Sequence, residues 1–434
     1  MSSTPPITSL HEQRQQKHHH GLLKYFNPFP SARAPSLNEL RQHSFLEPDQ
    51  YDPLDNPEGI KVPKVVGPEF GDDERDDGDI KCVWLGHAGY YVQLPATART
   101  DTRRRRLGIL FDPMFSDRAS PLSWVGPKRL IPNPCRIQDL PTVDLVCISH
   151  SHYDHLDTTS IEAVRDTWKD KTDKYQTFFA TKGTKTYFTS LSIPSSQIIE
   201  LDWWDHRVLS SSELGFPNLS SESQTTESES GSALGTKVKV TFVPAQHTSG
   251  SGILDQNRSL WGGWVGSVPA EAEQQPQASV YHVGDTGYRA AHGSEPCPIF
   301  KEIGHRLGPF DLSLIPIWRG GSLQWLSYLG LRVNHRLLSN ALHASPLDSV
   351  HLHKDIKSKR SLACHFATFA GTQGEAVEPL VFLVRSLREE GGFGWSDAGE
   401  VIRVPVGVGA GVRATTREVP NVGKVDIVND GARE

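Results

Sequence analysis

Residues 150–157 hold three histidines and two aspartates in the order His150-Ser151-His152-Tyr153-Asp154-His155-Leu156-Asp157. Imidazoles and carboxylates are the usual ligands of zinc and similar borderline metals. A closed structural zinc site would draw on thiolates, and this stretch has none. His150 and His152 are two positions apart, so in extended backbone they point the same way. Asp154 and His155 follow once the chain has turned, and they face elsewhere. Four donors aimed in two directions suit two neighbouring metals better than one. A merely solvated polar loop is a poor account of so dense a pattern. A metal pair still needs ligands from other parts of the chain.

The elements around the cluster explain how it is held. The apolar run Asp144-Leu145-Val146-Cys147-Ile148 reads as a buried strand, and Thr158-Thr159-Ser160 opens a helix. The cluster therefore sits on a loop between strand and helix, open to solvent on a fixed scaffold. The same device recurs down the chain. The alternation of Val238, Val240 and Phe242 marks a strand over 237–244 that delivers Gln246-His247. A strand over 280–284 delivers Asp285, and one over 361–364 delivers His365. Each alone would pass for an ordinary hydrogen-bonded residue; together with the cluster they form a set. Asp285 is the natural bridge, since its two oxygens can touch two ions. Further strands are predicted over 107–111, 177–180, 198–204 and 312–317, helices over 183–191 and 299–307, and a hairpin over 81–94 that turns at Gly86-His87-Ala88-Gly89. Residues 114–142 read as a long loop that includes Trp124.

The 434 residues suffice for one large domain or two smaller ones, and the 37% apolar content points to polar segments added around an ordinary core. A net charge of −6 gives no basic surface for nucleic acid. The run Arg103-Arg104-Arg105-Arg106 reads as a solvated hairpin tip before a lipid contact. The five cysteines are scattered and odd in number, which points to a reducing compartment, with Cys147 and Cys364 as buried fillers. No run of about 20 apolar residues is present to span a membrane. The N-terminus lacks an apolar signal core, though its Ser and Arg content is compatible with a transit peptide. Residues 1–79 read as a polar tail and strap, with His18-His19-His20 as solvated filler and Asn27-Pro28-Phe29-Pro30 as an extended strap against the body. The ordered domain is expected over 80–408, broken by disordered inserts at 209–235 and 269–279, with a loose tail over 409–434.

The pattern HxHxDH, a distant histidine, Gly284-Asp285-Thr286-Gly287 and a last strand-end histidine resembles the metallo-β-lactamase superfamily. Longer words narrow the resemblance. Gly86-His87-Ala88, Asp112-Pro113-Met114-Phe115-Ser116-Asp117-Arg118, Gly126-Pro127-Lys128-Arg129, Leu201-Asp202-Trp203-Trp204, Leu260-Trp261-Gly262 and Gly308-Pro309-Phe310-Asp311 resemble the N-acylphosphatidylethanolamine-hydrolysing phospholipase D family, from about Phe26 to Phe382. The resemblance implies an α/β (α+β) fold, the αββα four-layer sandwich, holding two zinc ions. By the same resemblance His150, His152 and His247 would hold one ion, Asp154, His155 and His365 the other, with Asp285 bridging. His343 falls where the family has a further histidine before a proline, although Leu342-His343-Ala344-Ser345-Pro346 departs from the family's word. It is carried either behind the ligands or facing substrate.

The implied reaction is hydrolysis of N-acylphosphatidylethanolamine to N-acylethanolamine and phosphatidic acid. Two close divalent ions acidify water and neutralise charge on a phosphoryl group, which suits a phosphodiester. Asp154, Asp285 and His343 are the catalytic candidates. Asp154 and His343 are the candidate proton donors to the leaving group, a role a metal could take instead. His343, Trp325 and Tyr328 are the candidate substrate contacts. The stretch 322–331 around those aromatics reads equally as an interfacial anchor or lid and as a helix packed into the domain. The competing functions are a lactonase or nuclease on the same scaffold, which the fold alone does not exclude, and a non-catalytic lipid-binding protein, against which the complete ligand set speaks. The expected partners are a phospholipid substrate and a membrane surface touched peripherally, with no nucleic acid and room for a homodimer. The expected location is intracellular, either cytoplasmic or on an organelle membrane such as the mitochondrial one.

Overall fold

Side chains along the strands alternate between two hydrophobic clusters. Val83 and Leu85 face one cluster and Cys82 and Trp84 the other, and the same split separates Leu110 from Ile109 and Phe111, and Phe178 from Phe179. This period of two is what pleated backbone gives, and it sets one face of a sheet against helices and the other against a second sheet. In the computed structural model the described residues are 19–21, 23–34, 36–42, 46–48, 56, 59–70, 78–95, 106–172, 176–210, 212–214, 237–250, 252, 255–269, 276–291, 293–318, 330–333, 342–387 and 391–406.

Besides a short antiparallel pair, Leu46–Pro48 with Leu331–Val333, the strands are β1 (Ile80–Gly86), β2 (Gly89–Leu94), β3 (Leu107–Phe111), β4 (Leu145–Cys147), β5 (Thr177–Thr181), β6 (Ile198–Leu201), β7 (His206–Ser210), β8 (Lys237–Pro244), β9 (Gly262–Val268), β10 (Ala278–His282), β11 (Leu312–Pro316), β12 (Ser361–Cys364), β13 (Phe393–Gly394) and β14 (Val401–Val404). They form two seven-stranded sheets, ordered β14-β1-β2-β3-β4-β5-β6 and β13-β12-β11-β10-β9-β8-β7. In each sheet an antiparallel half gives way to a parallel half, from β3 to β6 in the first and from β10 to β13 in the second. The helices that flank the sheets are α1 (Thr158–Thr172), α2 (Lys185–Ser190), α3 (Ile299–Arg306), α4 (Pro346–Asp355) and α5 (Gln373–Leu387).

α1 and α2 send Ile161, Val164, Trp168 and Phe188 onto the outer face of the first sheet. Side chains of α3, α4 and α5 join the larger cluster around the second sheet. The inner faces meet directly, and a Cβ at Gly266 would lie 3.0 Å from Ile109 Cδ1. Trp264 fills the sandwich beside Phe179, 5.7 Å between ring centres, and donates its indole N–H to Ile148 O at 2.9 Å. Truncating such a ring costs about 3–5 kcal/mol. The result is the αββα sandwich that the sequence implies.

Several boundaries differ from the sequence reading. β7 runs to Ser210, with Leu209 and Leu214 buried, and β10 begins at Ala278, so both expected inserts start or end inside ordered chain. Leu209 is the one buried position of β7, among exposed and half-buried neighbours, a pattern too short to stand out from the Ser/Glu run that follows. The strand expected over 198–204 stops at Leu201, because the chain turns at Asp202 and Trp204 has φ 71°. His19 is buried rather than solvated, which corrects the filler reading of the triple histidine. The strap does lie on the body: Phe29 stacks on Trp203 at 5.9 Å, and Asn27 Nδ2 donates to His247 O at 2.9 Å. Residues 407–434, most of 210–236 and 270–275 lie outside the described residues.

Candidate metal centre

β4 ends at Cys147, and the next residues are fixed by Asp112 at the end of neighbouring β3. Asp112 accepts from Ser149 N at 2.7 Å, Ser149 Oγ at 2.6 Å and His155 Nδ1 at 2.7 Å. Downstream, Asp157 accepts from Ser116 and Ser160, so the loop is pinned before α1 begins. From the second sheet, β8 delivers His247, β10 delivers Asp285 and β12 delivers His365. These three strands run in one direction, so their carboxyl ends share an edge, where α/β folds assemble sites. Gly284 (φ 68°) lets that edge close up: a Cβ there would lie 2.7 Å from Gly262 O and 2.9 Å from Ser149 Cβ.

The structure brings all seven ligand candidates together, in two lobes. His150 Nε2 is 2.8 Å and His247 Nε2 3.3 Å from His152 Nδ1. On the other side, Asp154 Oδ2 lies 3.7 Å from both His155 Nε2 and His365 Nε2. Asp285 Oδ2 stands between the lobes, 3.1 Å from His365, 3.2 Å from His155, 3.7 Å from His247 and 4.0 Å from His150.

Hydrogen bonds behind the ring nitrogens set their tautomers. His155 Nδ1 donates to Asp112, His150 Nδ1 to Ser149 Oγ at 3.0 Å and His247 Nδ1 to Leu342 O at 2.8 Å. Each leaves Nε2 turned inward as a lone pair, as a metal ligand requires. The inward atoms His155 Nε2, His365 Nε2 and Asp285 Oδ1 are buried without a hydrogen-bond partner. Unpartnered polar atoms of that kind are costly to bury. A cation resolves the cost, and the donor set fits a pair of metal ions.

The protonation tendencies agree. Burial, followed by the neighbouring imidazoles, holds His150 well below the usual histidine range, and burial takes His247 down to about 3. Burial also works against charge on His155 and His365, but Asp285 and Asp154 outweigh it and raise both, His365 to about 9. Asp154 and Asp285 are held well below the carboxylate range, the histidines overcoming burial. The two carboxylates thus favour positive charge beside them, carried by protons on His155 and His365 where no cation is bound.

His343 joins the centre just before α4, whose start is fixed by Ser345 as N-cap and Pro346 in the first turn. Its Nδ1 is 3.6 Å from Asp285 Oδ2, and its ring stands 4.9 Å from His247 and 4.6 Å from Trp318. Trp325, Tyr328 and most of 322–331 lie outside the described residues. Two residues not singled out from the sequence also belong here. Asp112 could have been found by the strand-end rule that gave His247 and Asp285. His87, at φ 51° in the β1–β2 turn, places Nε2 2.9 Å from Asp154 Oδ2, and only its family word pointed to it.

A cleft opens over Asp154 and His365, lined by His87, Pro127, Trp318, Phe366, Phe369 and Pro379. Its rim includes the loop 117–130, which folds back on itself: Ala119 N donates to Pro127 O at 3.0 Å and Arg129 N to Asp117 O at 2.8 Å. The half-buried Arg129 guanidinium anchors the base of the loop by donating to Met114 O, Ile131 O and Leu85 O. At the tip Trp124 is 74% exposed, next to exposed Leu122 and Val125.

Comparison with known proteins gives concordant matches. Residues 108–366 match the model of the beta-lactamase superfamily domain. The N-acyl-phosphatidylethanolamine-hydrolyzing phospholipase D 1 of Caenorhabditis elegans is 30% identical over 71% of this chain and 70% of its own. The mitochondrial N-acyl-phosphatidylethanolamine-hydrolyzing phospholipase D of Saccharomyces cerevisiae is 28% identical over 74% of this chain and 55% of its own. A metallo hydrolase of the archaeon Ignicoccus hospitalis is similar at 16% identity and a TM-score of 0.43, over 75% of this chain and 98% of that one.

Proposed function

The chain belongs to the N-acylphosphatidylethanolamine-hydrolysing phospholipase D family of the metallo-β-lactamase superfamily, and from that membership we propose a two-zinc phosphodiesterase that converts N-acylphosphatidylethanolamine to N-acylethanolamine and phosphatidic acid. The observation that supports two ions is the position of Asp285 Oδ2, within 4.0 Å of ring nitrogens from both lobes. When bound, the zinc ions supply acidified water and positive charge for a phosphoryl group.

His150, His152 and His247 would hold one ion and Asp154, His155 and His365 the other, with Asp285 placed between the two groups. Asp112 and Ser149 keep the ring nitrogens turned inward. The cleft over Asp154 and His365 is where a phosphodiester reaches the centre with its acyl chains against Phe366, Phe369 and Pro379. Water attacks phosphorus, the bond to the ethanolamine oxygen breaks, and the departing alkoxide takes a proton. Asp154, 29% exposed at the cleft, and His343, beside Asp285, are the groups placed to move that proton.

Among the described residues no helix is long and apolar enough to cross a membrane. A phospholipid substrate resides in a bilayer, and the 117–130 loop has the features to meet its surface. An indole at a loop tip with Leu122 and Val125 gains by entering the headgroup region. Lys128 and Arg118 at its base attract anionic lipid. The yeast relative is named for its mitochondrial location, which supports an organelle membrane as the place of work. The deciding experiment incubates the zinc-loaded full chain with vesicles holding N-acylphosphatidylethanolamine and plain phosphatidylethanolamine, with products identified by mass. Matched release of N-acylethanolamine and phosphatidic acid is expected, and its absence overturns the substrate assignment.

A further inference from the structure

A separate set of ligand side chains lies where the N-terminal segment meets the body. His19 Nε2 is 2.7 Å from Asp202 Oδ1, and His20 Nε2 is 2.6 Å from Asp202 Oδ2. We propose that His19, His20 and Asp202 form a further metal site, for zinc or a similar divalent transition metal, that fastens the N-terminal strap to the hydrolase body.

Side chains of adjacent residues normally diverge, so two neighbouring imidazoles converging on one carboxylate require a particular backbone. The chain supplies it in a tight hairpin: Gly21 N donates to Lys24 O at 2.8 Å, Phe26 N to His19 O at 2.9 Å, and His20 pairs with Tyr25. The two rings are thereby brought to 4.4 Å between centres. Asp202 comes from the other direction, at the turn after β6, 182 or more positions away in sequence. Its orientation is held by Asp205, which accepts from Asp202 N at 3.0 Å, and by Trp203 N, which donates to Oδ1 at 2.7 Å. The three ligand atoms lie within 4.8 Å of one another.

Two imidazoles and a carboxylate are the donors that zinc and its first-row neighbours take from proteins. A tetrahedral ion with bonds of 2.0–2.1 Å separates its ligand atoms by about 3.3 Å. The present separations are shorter, so one ring must retreat by roughly half an ångström on binding. His20 has room to do so, since its side chain is 42% exposed while that of His19 is 1% exposed. That exposure also leaves a coordination position for water. Tyr25 stands edge-on to His20 at 5.1 Å between ring centres and closes one side of the site. Behind the site His19 packs on Trp203 at 4.3 Å, and Trp203 carries Phe29 of the strap. A few residues on, Asn27 and Ser31 bond His247 O and the Gln246 side chain. The site therefore fixes a segment that supports a ligand of the catalytic centre without sharing any ligand with it.

The rival account is a hydrogen-bonded His-Asp-His latch that binds no metal. Full-length protein is stripped with chelator, reloaded with zinc, desalted and assayed for zinc per chain. His20→Gln keeps an amide N–H for Asp202 but is a poor ligand, and His20→Ala removes both. Both variants are expected to hold about one zinc fewer than the wild type. Equal zinc in all three overturns the proposal in favour of the latch. The same comparison in a His247→Ala background guards against loss from the catalytic centre. A further loss of about one zinc on His20→Gln is expected there, and no further loss overturns the proposal. Zinc should also slow amide hydrogen exchange over 19–26 in the wild type and not in His20→Gln.

Discussion

His87 reaches two ligands at once. Its Nε2 donates to Asp154 Oδ2 at 2.9 Å, and its main-chain carbonyl accepts from His365 N at 3.0 Å. Burial, then His365, holds the His87 imidazole down to about 4, so it is a neutral donor near pH 7. His87 is thus a positioning residue for the Asp154, His155 and His365 lobe. Removing such a partner typically costs about 10- to 100-fold in metal affinity or activity. His87→Ala should therefore raise the zinc concentration needed for half-maximal activity by that factor, with saturating zinc restoring part of the rate. His87→Gln, which keeps a donor, should lose less. An unchanged zinc requirement in His87→Ala would remove His87 from the support of the site.

Asp285 carries more of the centre than any other single residue, because both lobes approach the same oxygen. Asp285→Asn replaces a charged bridge with a neutral amide whose nitrogen has no lone pair to offer a metal ion. Turnover should fall by about 100-fold or more, the scale of losing one preorganised electrostatic group, and zinc content should fall with it. Chelation of the wild type should have the same effect on rate, reversed by zinc. Near-normal turnover with full zinc in Asp285→Asn would show that the bridge is unnecessary.

The legible parts of this molecule were those with a local signature. A buried strand followed by a ligand residue is a short, strong pattern, and it located β4, β8, β10 and β12 with their cargo. The pairing of these strands into two sheets was not legible from spacing, because it depends on contacts such as Trp264 with Phe179 that join distant segments. Asp112 sits at a strand end as His247 and Asp285 do, but its task of holding Ser149 and His155 rests on contacts 37 and 43 positions away. His19 and His20 were misread for the same reason, since their partner Asp202 is far along the chain. β7 was hidden by the Ser/Glu run that begins at its end.

Trp124 tests how the enzyme meets its substrate. Burying most of an indole is worth several times the 1.4 kcal/mol that corresponds to a tenfold change in binding. Trp124→Ala with Leu122→Ala should weaken binding to anionic phospholipid vesicles by about tenfold or more. The loss should appear as a higher apparent KM on vesicles, with turnover of a soluble short-chain analogue changed less than about twofold, since that substrate needs no surface. Vesicle binding equal to wild type would place membrane contact elsewhere, with the 322–331 stretch as the next candidate.

The metal-free protein should respond to alkaline pH in a way the zinc-loaded protein does not. His365 has its pKa raised to about 9 by Asp285 and Asp154 against the opposing effect of burial. A histidine raised in the folded state above its unfolded value of about 6.5 stabilises fully below that value. Its contribution is lost as pH climbs through the folded value. His155, also raised, acts in the same direction. Chelated protein should therefore show a falling Tm from about pH 7 to pH 10. In His365→Gln the slope should be shallower, because the group that releases the proton is gone. With zinc bound, the ring nitrogens hold metal rather than protons, and the Tm should be nearly flat over the same range. A chelated wild type with a flat profile would mean that the carboxylate pair does not hold protons on His155 and His365 when the metal is absent.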